Sequence, residues 1–215
     1  MKKALITGAS RGIGRAIAEE LGKDHHIYAG ASKDASDIVA ALPSAEAFEA
    51  DLTDTDAILK VTSEIEELDV LVLAAGVMDH GPLEELTDDK WREMMEVNLF
   101  APVTLTRALL PALRRSSGLI ITINSGAGFH GIAENSAYCA SKFALRGFTE
   151  SLQEEEAGKV RVTSLHPGRT DTDMLSGDDG RPKMAANEVA KAARLAVDAG
   201  PDAVVEFLRV RPART

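Results

Sequence analysis

The 215-residue sequence has a single cysteine and no long apolar run. One cysteine excludes an internal disulfide, and Cys139 fits a reducing compartment. Lys2 and Lys3 precede an apolar trio that is too short for the core of a signal peptide. No apolar run approaches the ~18 residues that a membrane span needs. These absences predict a cytoplasmic protein.

Positive charge is also scarce. Lysine and arginine number 24, against 34 aspartate and glutamate residues, and the net charge is −10. Nucleic acids and anionic membranes select for basic surfaces, so neither is expected as a partner. The five histidines lack the spacing of metal ligands, and no metal site is expected.

No linker rich in proline, glycine or serine divides the chain, whose length suffices for one domain with a sizeable core. Apolar runs typical of buried strands alternate with helical patterns. We place strands at residues 4–7, 26–30, 47–50, 69–73, 119–123, 160–165 and 203–209. This alternation predicts an α/β fold, in which a doubly wound, parallel, seven-stranded sheet of the Rossmann type forms a single domain over residues 1–215.

A glycine-rich loop follows the first strand and precedes a helical pattern. Gly8 permits a tight turn, Gly12 lets the backbone approach a pyrophosphate, and Gly14 allows close packing of the helix. The amino end of that helix offers unpaired N–H groups and a positive dipole. The loop therefore predicts a phosphate cradle, although a glycine-rich turn alone is also an ordinary link between strand and helix.

The candidate chemistry lies in the stretch 121–142. A helix that begins near Ser136 places Tyr138 and Lys142 on one face, because residues four apart are helical neighbours. A nearby ammonium favours the phenolate, so the pKa of Tyr138 is expected to fall below ~10 and the residue becomes a candidate general acid or base. Ser125 follows a buried strand, where its hydroxyl would hold a substrate oxygen. The alternative is a half-buried tyrosine beside a solvated lysine.

These motifs together resemble the classical short-chain dehydrogenase/reductase family over essentially the full chain. The matching residues are Thr7-Gly8-x-x-x-Gly12-x-Gly14, Asp51-Leu52, Ala75-Gly76, Asn98, Ser125, Tyr138-x-x-x-Lys142 and Pro167-Gly168-x-x-x-Thr172. The resemblance implies hydride transfer between a nicotinamide and a carbonyl or alcohol carbon. It also implies a catalytic tetrad, which consists of Asn98, Ser125, Tyr138 and Lys142.

The family pattern gives each tetrad residue a task. Tyr138 would exchange the proton on the substrate oxygen, which Ser125 would orient. Lys142 would lower the Tyr138 pKa and hold the nicotinamide ribose, and Asn98 would support a water relay. Without the resemblance, Asn98 would be interpreted as the cap of a helix with Pro102 in its first turn.

The resemblance also implies which residues hold the dinucleotide. Asp51 would accept a hydrogen bond from the adenine amino group, although it could instead cap or end a strand, and Thr172 would contact the nicotinamide carboxamide. The expected cofactor-binding residues are Gly8, Ser10, Arg11, Gly12, Ile13, Gly14, Ser32, Lys33, Asp51, Leu52, Ala75, Gly76, Tyr138, Lys142, Pro167, Gly168, Thr170 and Thr172.

We expect NADP(H) to be preferred over NAD(H). An acidic residue at the end of the second strand would bind the ribose 2′-hydroxyl and repel a 2′-phosphate. That end carries Ser32 and Lys33 here, and Arg11 would form a charge-assisted fork with phosphate. Asp34 is the rival feature, because a strand one or two residues longer would give its carboxylate the NAD role.

Two positions depart from the family pattern. Leu73-Ala74 stands where the family commonly has an Asn pair, so a side-chain amide that supports the central strand is missing. Arg169-Thr170 stands where the family often has an apolar pair. A contact between residue 170 and the nicotinamide would then be made by the backbone.

The resulting functional prediction is an NADP(H)-dependent carbonyl reductase with a small or loosely selected substrate. Residues 175–186, where the family places its lid, are short and polar, which predicts a mobile, open lid. The alternatives are an NAD-dependent alcohol dehydrogenase and a noncatalytic nucleotide-binding regulatory protein. A homodimer or homotetramer is expected, because residues 99–113 are apolar nearly all round and a second apolar stripe follows Ser136.

Overall fold

Strands and helices alternate along the chain, as the apolar pattern predicts. The computed structural model of the protein describes residues 1–175, 180–200 and 202–213. The strands are β1 (Lys2–Ile6), β2 (His25–Ala31), β3 (Ala45–Glu49), β4 (Val70–Leu73), β5 (Leu119–Ile123), β6 (Arg161–Pro167) and β7 (Phe207–Val210). The helices are α1 (Gly12–Leu21), α2 (Ser36–Ala41), α3 (Thr55–Thr62), α4 (Asp88–Met95), α5 (Ala101–Ser116), α6 (Ser136–Glu155) and α7 (Ala186–Asp198).

The strands form one parallel sheet in the order β3-β2-β1-β4-β5-β6-β7. The chain winds outward from β1 in one direction and then returns to β4 on its other side. In open α/β sheets ligands bind in the crevice at such a switch point, which here lies at the carboxyl ends of β1 and β4. The predicted seven-stranded, doubly wound α/β fold is confirmed.

The sheet separates two apolar cores because successive side chains of a strand point to opposite faces. Ala4 and Ile6 of β1 lie in the core that α1 and α7 cover, whereas Leu5 lies in the core that α3 and α5 cover. Strands covered on both faces are apolar at nearly every position, as β4 and β5 are.

The last strand begins later than the sequence predicts, at Phe207 rather than residue 203. The preceding segment is held by side chains of β6 and α6, together with a backbone hydrogen bond from the Ser164 N–H to the Glu206 carbonyl. Thr163 Oγ1 donates to the Val205 carbonyl at 2.7 Å, and Gln153 Nε2 donates to the Glu206 carbonyl at 2.9 Å. A β-like apolar pattern therefore extends beyond the paired backbone.

Helix α5 is largely buried within its own chain. Leu105, Leu109 and Leu113 have no exposed surface and pack in the second core. The apolar stripe of α6 also turns inward in part, since Leu152 is buried in that core and Phe148 packs against it. Much of the apolar surface that we expected to meet a partner thus meets this chain's own sheet and helices.

Candidate active site

The glycine loop forms a close-fitting cradle at the carboxyl end of β1. Gly8 has a φ of +67°, which an L side chain rarely adopts, and a Cβ there would lie 2.9 Å from the Ala75 Cα. A Cβ at Gly14 would overlap the carbonyl oxygen of Gly8. Arg11 stands at the start of α1, and its side chain does not cap the helix. The N–H groups in the first turn of α1 are therefore available to an anion. This geometry fits a dinucleotide pyrophosphate.

The neighbouring cofactor candidates also lie around this crevice. Ser10 and Arg11 are exposed on the loop, while Ile13 packs against the first core. Ala75 and Gly76 follow β4 and are half-buried.

Thr7 gives the loop after β4 a side-chain support that the sequence analysis missed. Its Oγ1 accepts hydrogen bonds from the backbone N–H groups of Ala74 and Ala75, both at 3.0 Å. The family's Asn side-chain amide, which is absent at Leu73-Ala74, is therefore not the only group that can support the loop after β4. A hydroxyl residue directly before the glycine loop was the available signal.

The end of β2 carries the residues expected to distinguish NADP from NAD. The strand ends at Ala31, and Ser32 and Lys33 follow it as exposed residues. Asp34 Oδ1 accepts a 2.8 Å hydrogen bond from the Ser36 N–H, and this bond lowers the pKa of Asp34. Arg11 is exposed, with its Nη1 3.8 Å from Asp173 Oδ2.

Asp51 lies just beyond β3, where its carboxylate closes a local turn. Its Oδ1 accepts hydrogen bonds from the N–H and hydroxyl of Thr53, at 2.9 and 2.8 Å. These bonds lower the pKa of Asp51. Leu52 beside it packs partly buried against the second core.

Ser125, Tyr138 and Lys142 come together at the carboxyl end of β5. The Ser125 hydroxyl lies close enough to the Tyr138 phenol to lower its pKa. Lys142 is 4% exposed, its Nζ lies 5.7 Å from the centre of the Tyr138 ring, and it donates a 3.0 Å hydrogen bond to the Ile123 carbonyl. Helix α6 begins at Ser136, as predicted, and this places tyrosine and lysine one turn apart.

The structure reverses the expected direction of the Tyr138 pKa. Burial raises this pKa above 10, and the hydrogen bond with Ser125 offsets only part of the rise. Tyr138 as a whole is half-buried, so water moderates the effect. Burial also lowers the pKa of Lys142, to about 8. Tyr138 is therefore protonated at neutral pH, while Lys142 remains mostly charged.

Asn98 is fully buried in a π-helical turn, Glu96–Phe100, between α4 and α5. Its Oδ1 accepts from the Val77 N–H, and its Nδ2 donates to the Val77 carbonyl and to Ser141 Oγ, at 2.9, 2.9 and 3.0 Å. The helix-cap alternative is therefore wrong, because Asn98 lies within the π turn and the residue that precedes α5 is Phe100. Ser141 was missed by the sequence analysis; it lies three residues after Tyr138 and donates to its carbonyl at 2.8 Å.

Gly76 marks where the tetrad meets the cofactor crevice. A Cβ at Gly76 would lie 3.2 Å from Asn98 Oδ1 and 3.8 Å from Lys142 Nζ. All four tetrad candidates thus occupy one region, directly beside the loop after β4.

The two threonine candidates after β6, Thr170 and Thr172, have different surroundings. Pro167 ends β6, and the Gly168 N–H donates to the Val210 carbonyl at 2.6 Å. Thr170 is buried and its hydroxyl donates to the Gly168 carbonyl, whereas Thr172 Cγ2 lies 3.4 Å from where a Cβ on Gly12 would stand. Thr172 is therefore the residue beside the cradle.

The expected lid at 175–186 is only partly described. Residues 176–179 lie outside the described part, and residues 180–185 contain no helix. Met184 is buried and exchanges backbone hydrogen bonds with Arg169 and Asp171. The mobility of this segment stays a prediction.

Comparison with known proteins decides the family. The family model described as short chain dehydrogenase matches residues 2–181. The chain belongs to the short-chain dehydrogenase family. It is an oxidoreductase of that family, and the resemblance noted in the sequence is confirmed.

Individual short-chain dehydrogenases match over most of the chain. An uncharacterized oxidoreductase of Staphylococcus saprophyticus is 35% identical, over 98% of this chain and 97% of that protein. A 3-oxoacyl-[acyl-carrier-protein] reductase of Salmonella typhimurium is 36% identical, over 86% of this chain and 81% of that protein. An alcohol dehydrogenase of Thermococcus sibiricus, complexed with 5-hydroxy-NADP, has a TM-score of 0.90 at 29% identity and covers 100% and 99% of the two chains.

Within residues 1–175, 180–200 and 202–213, no helix is long and apolar enough to cross a membrane. The same part of the chain has no group of three or more His, Cys, Asp or Glu residues that could hold a metal ion.

Proposed function

We propose that this short-chain dehydrogenase is a carbonyl reductase that uses NADPH on a small substrate, with residues 1–215 acting as one domain. The observation that carries the proposal is the cluster of Ser125, Tyr138 and Lys142 next to the glycine cradle. A noncatalytic regulatory protein would not need this arrangement.

The proposed reduction assigns a task to each tetrad side chain. When bound, the reduced nicotinamide supplies a hydride to the carbonyl carbon. Ser125 holds the substrate oxygen, and Tyr138 donates its proton to that oxygen as negative charge develops. The raised pKa of Tyr138 suits proton donation at neutral pH, which is the direction of reduction.

Lys142 and Asn98 support this step. The Lys142 ammonium is directed toward the sheet by its hydrogen bond to Ile123, and from there it would hold the nicotinamide ribose. Both N–H donors of Asn98 are used by Val77 and Ser141. Any contribution of Asn98 to a water relay therefore uses an acceptor, which is either its side-chain Oδ1 or its backbone carbonyl.

The preference for NADP(H) rests on the end of β2. Ser32, Lys33 and Arg11 supply two cations and a hydroxyl, and all three are exposed. Asp34 already holds the Ser36 N–H, which favours a role as the start of α2 over a role as ribose ligand. Solved relatives with bound NADP support the same choice, including a metagenomic short-chain oxidoreductase that is 33% identical, with a TM-score of 0.86 over 100% and 98% of the two chains.

The other cofactor contacts belong to the same proposal. Asp51 would bind the adenine amino group with its remaining acceptor capacity, and Thr172 would contact the nicotinamide carboxamide. An NAD-dependent alcohol dehydrogenase would use the same tetrad in the oxidative direction. The cytoplasmic location stays a prediction.

A homo-oligomer, dimeric or tetrameric, is also part of the proposal. Phe100 and Phe143 remain 49% and 45% exposed beside α5 and on α6, where a second copy would cover them. Light scattering at micromolar concentration tests this, and a strict monomer would contradict it.

The test of the function is NADPH oxidation, followed by absorbance, with a panel of aldehydes, ketones and quinones. Wild type and Tyr138→Phe are compared in parallel. We expect turnover of at least one compound by wild type alone. Nucleotide binding without turnover of any compound would favour the noncatalytic alternative, and turnover of alcohols with NAD alone would favour the dehydrogenase.

A further inference from the structure

The peptide groups on either side of Ser125 are both held by side chains. Asn124 Oδ1 accepts the Ser125 N–H at 2.8 Å. His166 Nδ1 lies 3.2 Å from the Ser125 carbonyl oxygen. A carbonyl oxygen only accepts, so this contact requires a proton on Nδ1. Neither Asn124 nor His166 belongs to the tetrad.

The other ring nitrogen of His166 completes a neutral tautomer. Nε2 lies 2.7 Å from Ser164 Oγ, and the serine hydroxyl can donate to it. The imidazole thus has both nitrogens satisfied with a single proton, which the hydrogen-bond partners place on Nδ1.

The ring of His166 is tightly enclosed. It is 1% exposed at the end of β6, and its centre lies 4.6 Å from that of Phe129 and 4.7 Å from that of Phe207. Two flanking rings leave little room for the imidazole to rotate. Its direction toward Ser125 is therefore fixed by packing as well as by hydrogen bonds.

The charged groups acting on His166 are all cations. They are Lys142 and Arg146 of α6 and Arg209 of β7, and the Arg146 guanidinium stacks 4.3 Å from the Phe129 ring centre. Burial, followed by these cations, lowers the pKa of His166 to about 4, while the bond to Ser125 opposes the shift.

The chain borders open space directly after Ser125. Ser125 precedes a short 3₁₀ turn, Gly126–Gly128, and a Cβ at Gly126 would meet nothing within 4 Å. The Ala127 N–H also donates to Ser125 Oγ at 3.1 Å, which uses one acceptor site of the hydroxyl and leaves its O–H available to donate.

We propose that His166 is a positioning residue for the reduction, whose Nδ1–H, together with Asn124, holds the backbone of Ser125 so that its hydroxyl stays directed at Tyr138. The inference rests on the proposed function for its kinetic consequence. The hydrogen bond itself does not depend on that function.

Two amide substitutions separate positioning from packing. His166→Asn places an amide nitrogen where Nδ1 stands and keeps a donor for the Ser125 carbonyl, whereas His166→Gln carries its amide near the Nε2 position and loses that donor. We expect kcat to fall about tenfold or more in the Gln variant and to stay within about threefold of wild type in the Asn variant. KM for NADPH should change less than about twofold in both.

Equal kcat values in the two variants, or a loss confined to thermal stability, would overturn the proposal. Ser164→Ala serves as a milder companion that folds with the histidine in place. It removes the partner of Nε2 alone, and we expect kcat to fall less than in the Gln variant.

The ¹⁵N chemical shifts of the His166 ring in the wild-type protein give a readout that needs no turnover. We expect a protonated Nδ1 and a bare Nε2 at pH 7, unchanged down to about pH 5. A protonated Nε2 or a charged ring at pH 7 would overturn the proposal even if the reductase is active. Absence of turnover with every carbonyl compound contradicts the proposed function instead.

Discussion

Lys142 Nζ donates a 3.0 Å hydrogen bond to the carbonyl of Ile123, the last residue of β5. This bond ties α6 to the sheet edge, where the candidate chemistry lies. Among the described residues no carboxylate pairs with this ammonium, and burial lowers its pKa to about 8. A charge kept at a buried position without an opposite charge implies that the site sacrifices stability for function.

Lys142→Met is therefore expected to stabilise the nucleotide-free protein at pH 7 while abolishing turnover. The ammonium is disfavoured in the fold, because its folded pKa of about 8 lies below the ordinary 10.5. As pH falls from 10.5 to 8, Lys142 is protonated in the unfolded chain before it is protonated in the folded protein. The free-energy cost of the buried ammonium to folding is therefore fully present below pH 8. Allowing for the lost bond to Ile123, we expect a gain of about 1–2 kcal/mol at pH 7 that disappears near pH 10.

Denaturant unfolding at pH 7 and pH 10 measures this gain, with the exposed Lys60→Met as the matched control. A destabilised Lys142→Met variant at pH 7 would show that the bond to Ile123 outweighs burial. The kinetic companion is Lys142→Ala, which should weaken cofactor binding and turnover together. An effect on the rate alone would contradict the ribose role.

Tyr138→Phe should remove turnover and leave nucleotide binding nearly intact, because the ring is kept and only the transferable proton is lost. We expect kcat to fall at least about 100-fold and the Kd for NADPH to stay within about twofold. Initial rates of NADPH oxidation give kcat, and titration followed by nucleotide fluorescence gives the Kd for NADPH. Activity within about tenfold of wild type would contradict the assignment of Tyr138 as proton donor.

The support of Asn98 by Ser141 can be tested separately from the chemistry. Ser141→Ala leaves one N–H of a fully buried amide without its 3.0 Å partner. We expect a loss of about 1–3 kcal/mol in unfolding free energy, together with a lower kcat. Ser151→Ala, on the exposed part of the same helix, is the control and should change neither. An unchanged free energy of unfolding would show that a water molecule takes the place of the Ser141 hydroxyl as the partner of Asn98.

His166 should make the protein less stable in acid. Its folded pKa of about 4 lies below the ordinary 6.5, so the unfolded state binds the proton first as pH falls. Both states are neutral above pH 6.5, and the contribution is lost progressively between pH 6.5 and 4, to a total of roughly 3 kcal/mol. Unfolding free energies of wild type and His166→Asn across this range measure the difference. Parallel curves for the two proteins would contradict the prediction.

The sequence predicts the sheet well because buried parallel strands are apolar at nearly every position. The bounds of β5 match the predicted residues 119–123. Helix α6 begins at Ser136, as predicted from the four-residue spacing of Tyr138 and Lys142. The family resemblance then supplies the tetrad candidates. Local patterns and a known motif set together determine the fold.

Other features depend on tertiary packing that no local pattern records. Asn98 looked like a helix cap because Pro102 is typical of a first helical turn, but the π turn at 96–100 joins α4 to α5 without a break. The pKa of Tyr138 is raised mainly by burial, which the spacing of Tyr138 and Lys142 does not record. The apolar surface of α5 looked unpartnered because the residues that cover it lie far away in the sequence.

The last prediction concerns the cofactor. The double change Arg11→Ala with Lys33→Ala should raise KM for NADPH at least about tenfold more than KM for NADH, since only NADPH carries the 2′-phosphate. Arg92→Ala with Lys60→Ala removes the same charge at exposed positions on α3 and α4, and serves as the control for long-range electrostatics. Initial rates with both nucleotides at fixed substrate give the four KM ratios. Equal effects on NADPH and NADH, or a wild type that prefers NADH, would assign the end of β2 to NAD, with Asp34 as the ribose ligand.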